Sequence, residues 1–161
     1  MDVDKIIILL KNELGDSESI KVAENSSPEA LIVSPAILKR VCEILYRNEN
    51  CYFDMLSCVT GLDNGAEANT MEVIYNLYSI PFDKSLMLKV VLDRAQAEVD
   101  SLVDIWRTAD WHEREAYDLY GIRFIGHPDL RRILLPADWE GYPLRKDYKH
   151  QEYYRGIKVE Y

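Results

Sequence analysis

At 161 residues, 48% of them apolar, the chain suits one domain of common size that can bury a core without metals or cross-links. Its formal charge of −9 excludes a general nucleic-acid binder, because neutralising phosphates requires a basic surface. Three cysteines, Cys42, Cys51 and Cys58, form no CxxC pair and fit reduced, buried thiols better than a disulfide framework.

The opening MDVDKIIILLKNEL lacks the basic stretch of a secretory signal. No apolar run reaches the ~20 residues that cross a bilayer, so the expected compartment is the cytoplasm. Val3, Ile6, Ile7, Leu10 and Leu14 recur at helical spacing, and Gly15 stands where a left-handed residue would end that helix. SIKVA and ALIVS read as short strands joined by the turn-forming ENSSPE. Ser34 is then placed to cap a helix with Pro35 at its first position and Ile37, Leu38, Val41, Ile44 and Leu45 on its buried face.

MLSCVTGL, TMEVIYNLYSI and SLMLKVVL follow, rich in β-branched and aromatic residues and bounded by Gly, Asp, Asn or Pro. In the second, Met71, Val73, Tyr75 and Leu77 alternate with Glu72, Asn76 and Tyr78, which predicts a three-strand antiparallel meander with one face on the helices. The expected fold class is α+β, a largely antiparallel sheet with helices on one side, followed by an extended irregular C-terminal tail. The expected division is an α+β domain over 1–125 and a docking tail over 126–161.

From Trp111 to Tyr148 the chain reads WHEREAYDLYGIRFIGHPDLRRILLPADWEGYPLRKDY, a density of charge and aromatic rings that invites a search for chemistry. Asp110 and Glu113 have the spacing of a capping box and Gly121 supplies an exit, predicting a helix from about Trp111 to Tyr120. Such a helix sets Glu113, Ala116, Tyr117 and Tyr120 on one side, and Trp111, Glu115, Asp118 and Leu119 on the next. His112 and Glu113 begin the HExxH pattern of metallohydrolases, but Ala116 occupies the second histidine position, so two imidazoles cannot meet one zinc. Glu113 and Glu115 would point about 200° apart and cannot share a substrate as an acid/base pair. His112 fits a helix-start surface position, and His127, before Pro128, a turn or interface contact. No metal set, nucleotide-binding loop or nucleophile–base pair emerges.

Beyond the helix, PADWEGYP is too rich in Pro and Gly for long regular structure. Yet Leu130, Ile133, Leu134, Leu135, Trp139, Tyr142, Leu144 and Tyr148 are interleaved with Arg131, Arg132, Arg145 and Lys146, the composition of a protein–protein interface rather than of a floppy terminus. For the part before Pro136, a tail folded back on its own domain is the alternative. Charge divides along the same line: residues 1–121 hold 11 Lys and Arg against 22 Asp and Glu, residues 122–161 hold 8 against 6.

The run EREAYDLYGIRFIGHPDLRRILLPADWEGYPLRKDY closely resembles the motif of the thirty-kilodalton subunit family of respiratory complex I, the C-subunit of bacterial NADH:quinone oxidoreductases. That resemblance implies a non-catalytic subunit of the peripheral arm that binds no cofactor itself, with FMN and Fe-S clusters held by partner subunits. It implies partners among the peripheral-arm subunits, chiefly the forty-nine-kilodalton-like quinone-site subunit and the terminal Fe-S cluster subunit. Nucleic acid is not among them, and the membrane is met only through the complex, on the cytoplasmic side of the inner (cell) membrane. The expected docking residues on the helix and the turn after it are Glu113, Arg114, Glu115, Asp118 and His127, with one of Glu113 and Glu115 bracing its own domain while the other meets a partner's base. In the tail they are Arg131, Arg132, Trp139, Arg145, Lys146, Asp147 and Tyr148, with Trp139, Arg145 and Tyr148 as the main anchors of a tail that leaves its domain. The homologous subunit of a membrane-bound energy-converting hydrogenase-type complex is the alternative within this class. A free-standing acid/base hydrolase using Glu113, Glu115 or His127 is the alternative outside it.

Overall fold

A computed structural model describes residues 3–15, 20–23, 26 and 30–159. Helix α1 runs from Val3 to Leu14 and ends at Gly15, whose φ of 68° is the left-handed exit that glycine adopts without strain. Strands β1 (Ile20–Val22) and β2 (Ala30–Val33) pair antiparallel. Most of the expected ENSSPE turn lies outside the described residues, but Ser26 Oγ donates to Ala23 O and accepts from Ala30 N.

Pro35–Ile37 form a tight 3-10 turn before helix α2, Leu38–Arg47. Here the capping expectation is corrected: the Ser34 side chain makes no cap bond. The N–H it would have served already donates to the Ser34 backbone carbonyl, at 3.2 Å from Ile37 N, so the tight first turn leaves nothing there for the hydroxyl.

Strands β3 (Met55–Asp63), β4 (Thr70–Ser79) and β5 (Lys84–Asp93) form the expected antiparallel meander. The five-stranded sheet has the order β1-β2-β5-β4-β3 and is mixed, since β2 joins β5 in parallel. Burial along β4 alternates strictly, with Met71, Val73, Tyr75 and Leu77 inward. These side chains, with Leu86, Leu88 and Val90 of β5, share one core with Ile6 and Leu10 of α1 and Leu38, Val41 and Leu45 of α2. Each fully buried side chain of this kind contributes about 1.5–3 kcal/mol over its exposed state. The opposite face carries Ile74, Asn76, Met87 and a Lys89–Glu72 ion pair at 3.0 Å, none of them fully buried.

A second, small unit follows. Strand β6 (Glu98–Asp100) pairs in parallel with β7 (Arg123–Ile125), and helix α3 (Ala109–Tyr120) connects them. Gly121, φ 74°, ends α3 as expected. Helix α3 lies close beside β3: a Cβ on Gly61 would stand 2.8 Å from Tyr120 Cδ2, which is why a glycine interrupts that strand. Residues 153–158 add a hairpin of β8 (Tyr153–Tyr154) and β9 (Ile157–Lys158), whose two-residue turn has positive φ at Arg155 and Gly156.

Candidate functional site

Helix α3 begins at Ala109, earlier than the capping box requires, and Thr108 at its N-cap sends its hydroxyl to Leu56 O of β3 at 3.0 Å. Asp110 therefore lies inside the first turn, and the expected Asp110–Glu113 box is not formed. Glu113 turns inward instead. It is 0% exposed, accepting from Leu102 N at 2.8 Å and from Ser101 Oγ at 2.6 Å. Burial pushes its carboxyl up to about 7, outweighing these two donors. The carboxyl supports the loop after β6, so the docking role expected for Glu113 is corrected to an internal one.

Asp118 is corrected in the same way. Also 0% exposed, it takes three successive backbone N–H groups on Oδ2, from Ile133 at 3.0 Å, Leu134 at 2.7 Å and Leu135 at 2.9 Å. Arg132 Nη1 closes Oδ1 at 2.7 Å and also reaches Asp118 O at 2.9 Å. Burial alone would raise this carboxyl; the N–H groups of Leu135, Leu134 and Ile133 together with the guanidinium hold it below the usual carboxylate range.

The chain after His127 consequently does not leave the domain at once. Residues 130–148 return along α3 as a strap, and the expected free tail is corrected to this extent. Arg114 donates to Arg131 O and Arg132 O, both at 3.2 Å. Arg132 Nη2 holds Trp139 O and Gly141 O at 3.0 and 2.9 Å. Tyr142 lies against Gly121, where a Cβ would meet its ring at 2.6 Å, and the guanidiniums of Arg132 and Arg145 lie over that ring, 5.3 and 4.9 Å from its centre. Leu144 N donates to Leu119 O at 3.1 Å, and Arg145 Nε donates to Tyr120 O at 2.7 Å.

The strap ends on a second buried carboxylate, Asp63 at the end of β3. Its Oδ2 accepts from Lys146 N at 2.8 Å, and Arg94 grips both of its oxygens at 2.8 and 3.0 Å. Arg94 holds Asp63 well below the ordinary carboxylate range and also reaches Asp147. Beyond this clasp Trp139 donates to Tyr148 OH at 3.1 Å and packs against Tyr154, while Tyr154 and Arg155 both bind Asp138.

The anchors expected to reach a neighbour are thus engaged within the chain: Arg145 on a backbone carbonyl, Trp139 and Tyr148 on each other. His127 is a turn contact, its side chain 0% exposed, with Nδ1 accepting from Asp129 N and Nε2 3.1 Å from Asp110 O. Left outward are Glu115, Arg131, Lys146 and Asp147, the 70%-exposed Trp111, the exposed Leu134 and Leu144, and Tyr153 and Ile157 of the hairpin. Sequence reasoning misses Asp63 and Arg94 as site residues, and it places Tyr142 in the interface-like tail without making it an anchor. No local pattern links positions 63, 94 and 147.

No helix among the described residues is long and apolar enough to cross a membrane. The family described as "Respiratory-chain NADH dehydrogenase, 30 Kd subunit" matches residues 31–154. The NADH-quinone oxidoreductase C-subunit of Chloroherpeton thalassium is 42% identical over 154 residues, 95% of this chain and 63% of that protein. The protein of the same name from Chlorobium phaeobacteroides is 38% identical over 154 residues, 95% of this chain and 92% of that one. Among solved structures, Nqo5 as its trypsin-resistant fragment shares the fold with a TM-score of 0.61 and 24% identity, over 77% of this chain and 99% of that one. A chain of an archaeal membrane-bound sulfane sulfur reductase shares it with a TM-score of 0.71 and 20% identity, over 92% and 86%. With the motif, the α+β fold and these relatives in agreement, the chain belongs to the thirty-kilodalton subunit family of respiratory-chain NADH dehydrogenase.

Proposed function

We propose that the chain is a structural subunit of the peripheral arm of an NADH:quinone oxidoreductase-type complex, holding no cofactor and having no active site of its own. The observation that carries this reading is the use made of the dense stretch. Of its catalytic candidates, Glu113 is wholly buried on Ser101 and Leu102 N and the His127 side chain is buried in a turn, while Glu115 stands exposed on another side of the helix; Asp118, too, is wholly buried and bound to backbone N–H groups of the same chain. The buried groups shape a surface rather than face a substrate. Electrons would pass from NADH through FMN and Fe-S clusters in partner subunits to quinone, while this chain braces the quinone-site and terminal-cluster subunits on the cytoplasmic face of the membrane. Arg131, Lys146, Asp147 and Glu115 are the members of the expected docking set that remain outward-facing, and the hairpin beyond Tyr148 adds exposed surface to them.

Deleting the gene in its host and restoring it in trans tests the proposal. Loss of assembled complex and of NADH-dependent quinone reduction, both regained with the wild-type chain, is the expected result. Full assembly and turnover without the chain, or substrate turnover by the isolated protein that Glu113→Gln abolishes, would contradict it. The likeness of fold to a chain of sulfane sulfur reductase favours one second reading, the equivalent subunit of another respiratory membrane complex. Co-purification with a flavin- and NADH-binding subunit separates the two.

A further inference from the structure

The turn from β3 to β4 opens with Asn64–Gly65, and Asn64 is the one asparagine of seven that a glycine follows. That pair has a chemistry of its own. Glycine carries no side chain to crowd its nitrogen, so once the Gly65 nitrogen sheds its proton it can attack Cγ of Asn64. The new C–N bond closes a succinimide ring, the Cγ–Nδ2 bond breaks, and the amide leaves as ammonia with the proton. Water then opens the ring on one side or the other and gives aspartate or isoaspartate. One water enters and one ammonia departs, with no oxidant or cofactor.

In the folded chain the groups this reaction needs are held. Gly65 N donates to Asp63 Oδ1 at 3.0 Å, and the charge of that carboxylate, kept ionised by Arg94, opposes loss of the Gly65 proton. Asn64 Nδ2 is tied to β4, donating to Thr70 Oγ1 at 3.0 Å and to Glu72 Oε1 at 3.1 Å. The strap lies over the pair. Lys146 N donates to Asp63 Oδ2 at 2.8 Å, Lys146 Nζ donates to Asn64 O at 3.4 Å, and a Cβ on Gly65 would stand 3.2 Å from Lys146 Cδ. Gly65 is buried beneath this cover, although residues 66–69 of the same turn are exposed.

We propose that Asn64–Gly65 is a latent modification site: the end of the strap holds it shut, it cyclises when the strap lifts, and its product keeps the strap from closing again. An aspartate at 64 sets a carboxylate where an amide donated to Glu72. An isoaspartate also lengthens the main chain by one carbon between Asp63 and Gly65, whose hydrogen bond belongs to the clasp. The reaction records, without reversal, that a chain has stood unlatched. This goes beyond the subunit reading and does not depend on it.

The purified full-length chain is incubated in warm, mildly alkaline buffer, and the peptide containing residue 64 is followed by mass spectrometry for conversion of amide to acid and for isoaspartate. Cyclisation proceeds from the open state, so the wild type should react about a hundred-fold more slowly than the same chain in denaturant. Asp118→Ala, which frees the strap from a position remote from the turn, should react about ten-fold faster than the wild type. Lys146→Ala, which removes only the stem and its ammonium, should react faster by a smaller factor. Amide exchange of β4–β5 at wild-type rates shows that the sheet of each variant is intact. Hydroxylamine, which opens a succinimide, should cut the strap-released chain between residues 64 and 65. The reacted fraction of the wild type, separated by its added negative charge, should show faster amide exchange over 145–148 than the unreacted fraction.

A wild type as reactive as the denatured chain, or an Asp118→Ala chain with an intact sheet and a wild-type rate, would overturn the strap as the lock. Where Asp118→Ala loosens the sheet, Lys146→Ala carries the comparison, and a wild-type rate there overturns the lock equally. Unchanged exchange over 145–148 in the reacted fraction would overturn the one-way latch.

Discussion

The sheet with its two helices and the strap over 130–148 are held by different forces. In the body, Leu10, Leu38, Leu45, Tyr75 and Leu88 are wholly buried, and their attraction is apolar, non-directional and shared among many neighbours. In the strap, Leu134 and Leu144 are exposed, and the grip comes from two buried aspartates that receive backbone N–H groups and a guanidinium each. Apolar packing tolerates gradual loss. A buried carboxylate with its donors is nearly all-or-none, because removing either side leaves the other desolvated and unpaired.

Leu88→Ala should separate the two regions most strongly. It opens a cavity at the centre of the sheet and should cost about 3–5 kcal/mol, lowering the denaturation midpoint of the whole chain in one cooperative step. Asp118→Ala should cost somewhat less, about 3 kcal/mol, since it leaves Arg132 and three N–H groups without their acceptor. Its signature should be local: faster amide exchange over 130–148 and tryptic cleavage at Arg131, Arg132, Arg145 and Lys146, with β4–β5 exchange at wild-type rates. The same logic applies to a chain cut near Gly126. Such a truncation strips Asp118 of all these donors at once, so its body should be less stable than the intact protein.

A third comparison uses pH. Glu113 in the folded chain is raised to about 7 from an ordinary 4.5, so the native state binds its proton more tightly than the unfolded one does. The stability this gives is complete below about pH 4.5 and is lost as pH rises through 7. Over that window the wild type should lose about 2–3 kcal/mol. Glu113→Gln keeps an acceptor for Leu102 N and carries no titrating proton, so its stability should be flatter between pH 5 and 8 in urea titrations. An unchanged pH slope would remove Glu113 from this account. The strap has the opposite sign, because the lowered carboxyls of Asp63 and Asp118 hold it above about pH 4 and release it as they are protonated on acidification.

The same division explains what the sequence discloses. Period-two alternation from Met71 to Leu77 and helical spacing from Leu38 to Leu45 are local, so the meander and α2 are legible without coordinates. The parallel β2–β5 pairing is a long-range choice with no local signature. On α3, spacing alone sorts Glu113 from Glu115, yet it cannot tell a docking carboxylate from one turned inward to a loop. Asp118 reads as a surface charge because its donors are anonymous backbone groups 15 to 17 positions away, invisible to any side-chain pattern. The family motif is recognisable for the reason that its internal contacts are not: its residues are bound to one another, so they form a dense run whose composition resembles an interface.

The smallest effect should come from Asp147→Asn at the end of the strap. Arg94 touches both Asp63 and Asp147, but the two carboxylates differ in setting: the side chain of Asp63 is 1% exposed and that of Asp147 60%. Water competes fully for the exposed one, and salt screens it. Asp63 also keeps Lys146 N and Gly65 N when Asp147 is neutralised, so the clasp retains its centre. The denaturation midpoint should therefore stay where it is, and only the amides near 145–148 should exchange faster, by an amount that raised salt reproduces in the wild type. Asp63→Asn removes the centre rather than the rim and should release Lys146 and Tyr148 together, reported by the loss of the Trp139–Tyr148 contact in tryptophan fluorescence. If the two substitutions free the strap equally, its hold resides in the exposed ion pair and not in the buried carboxylate.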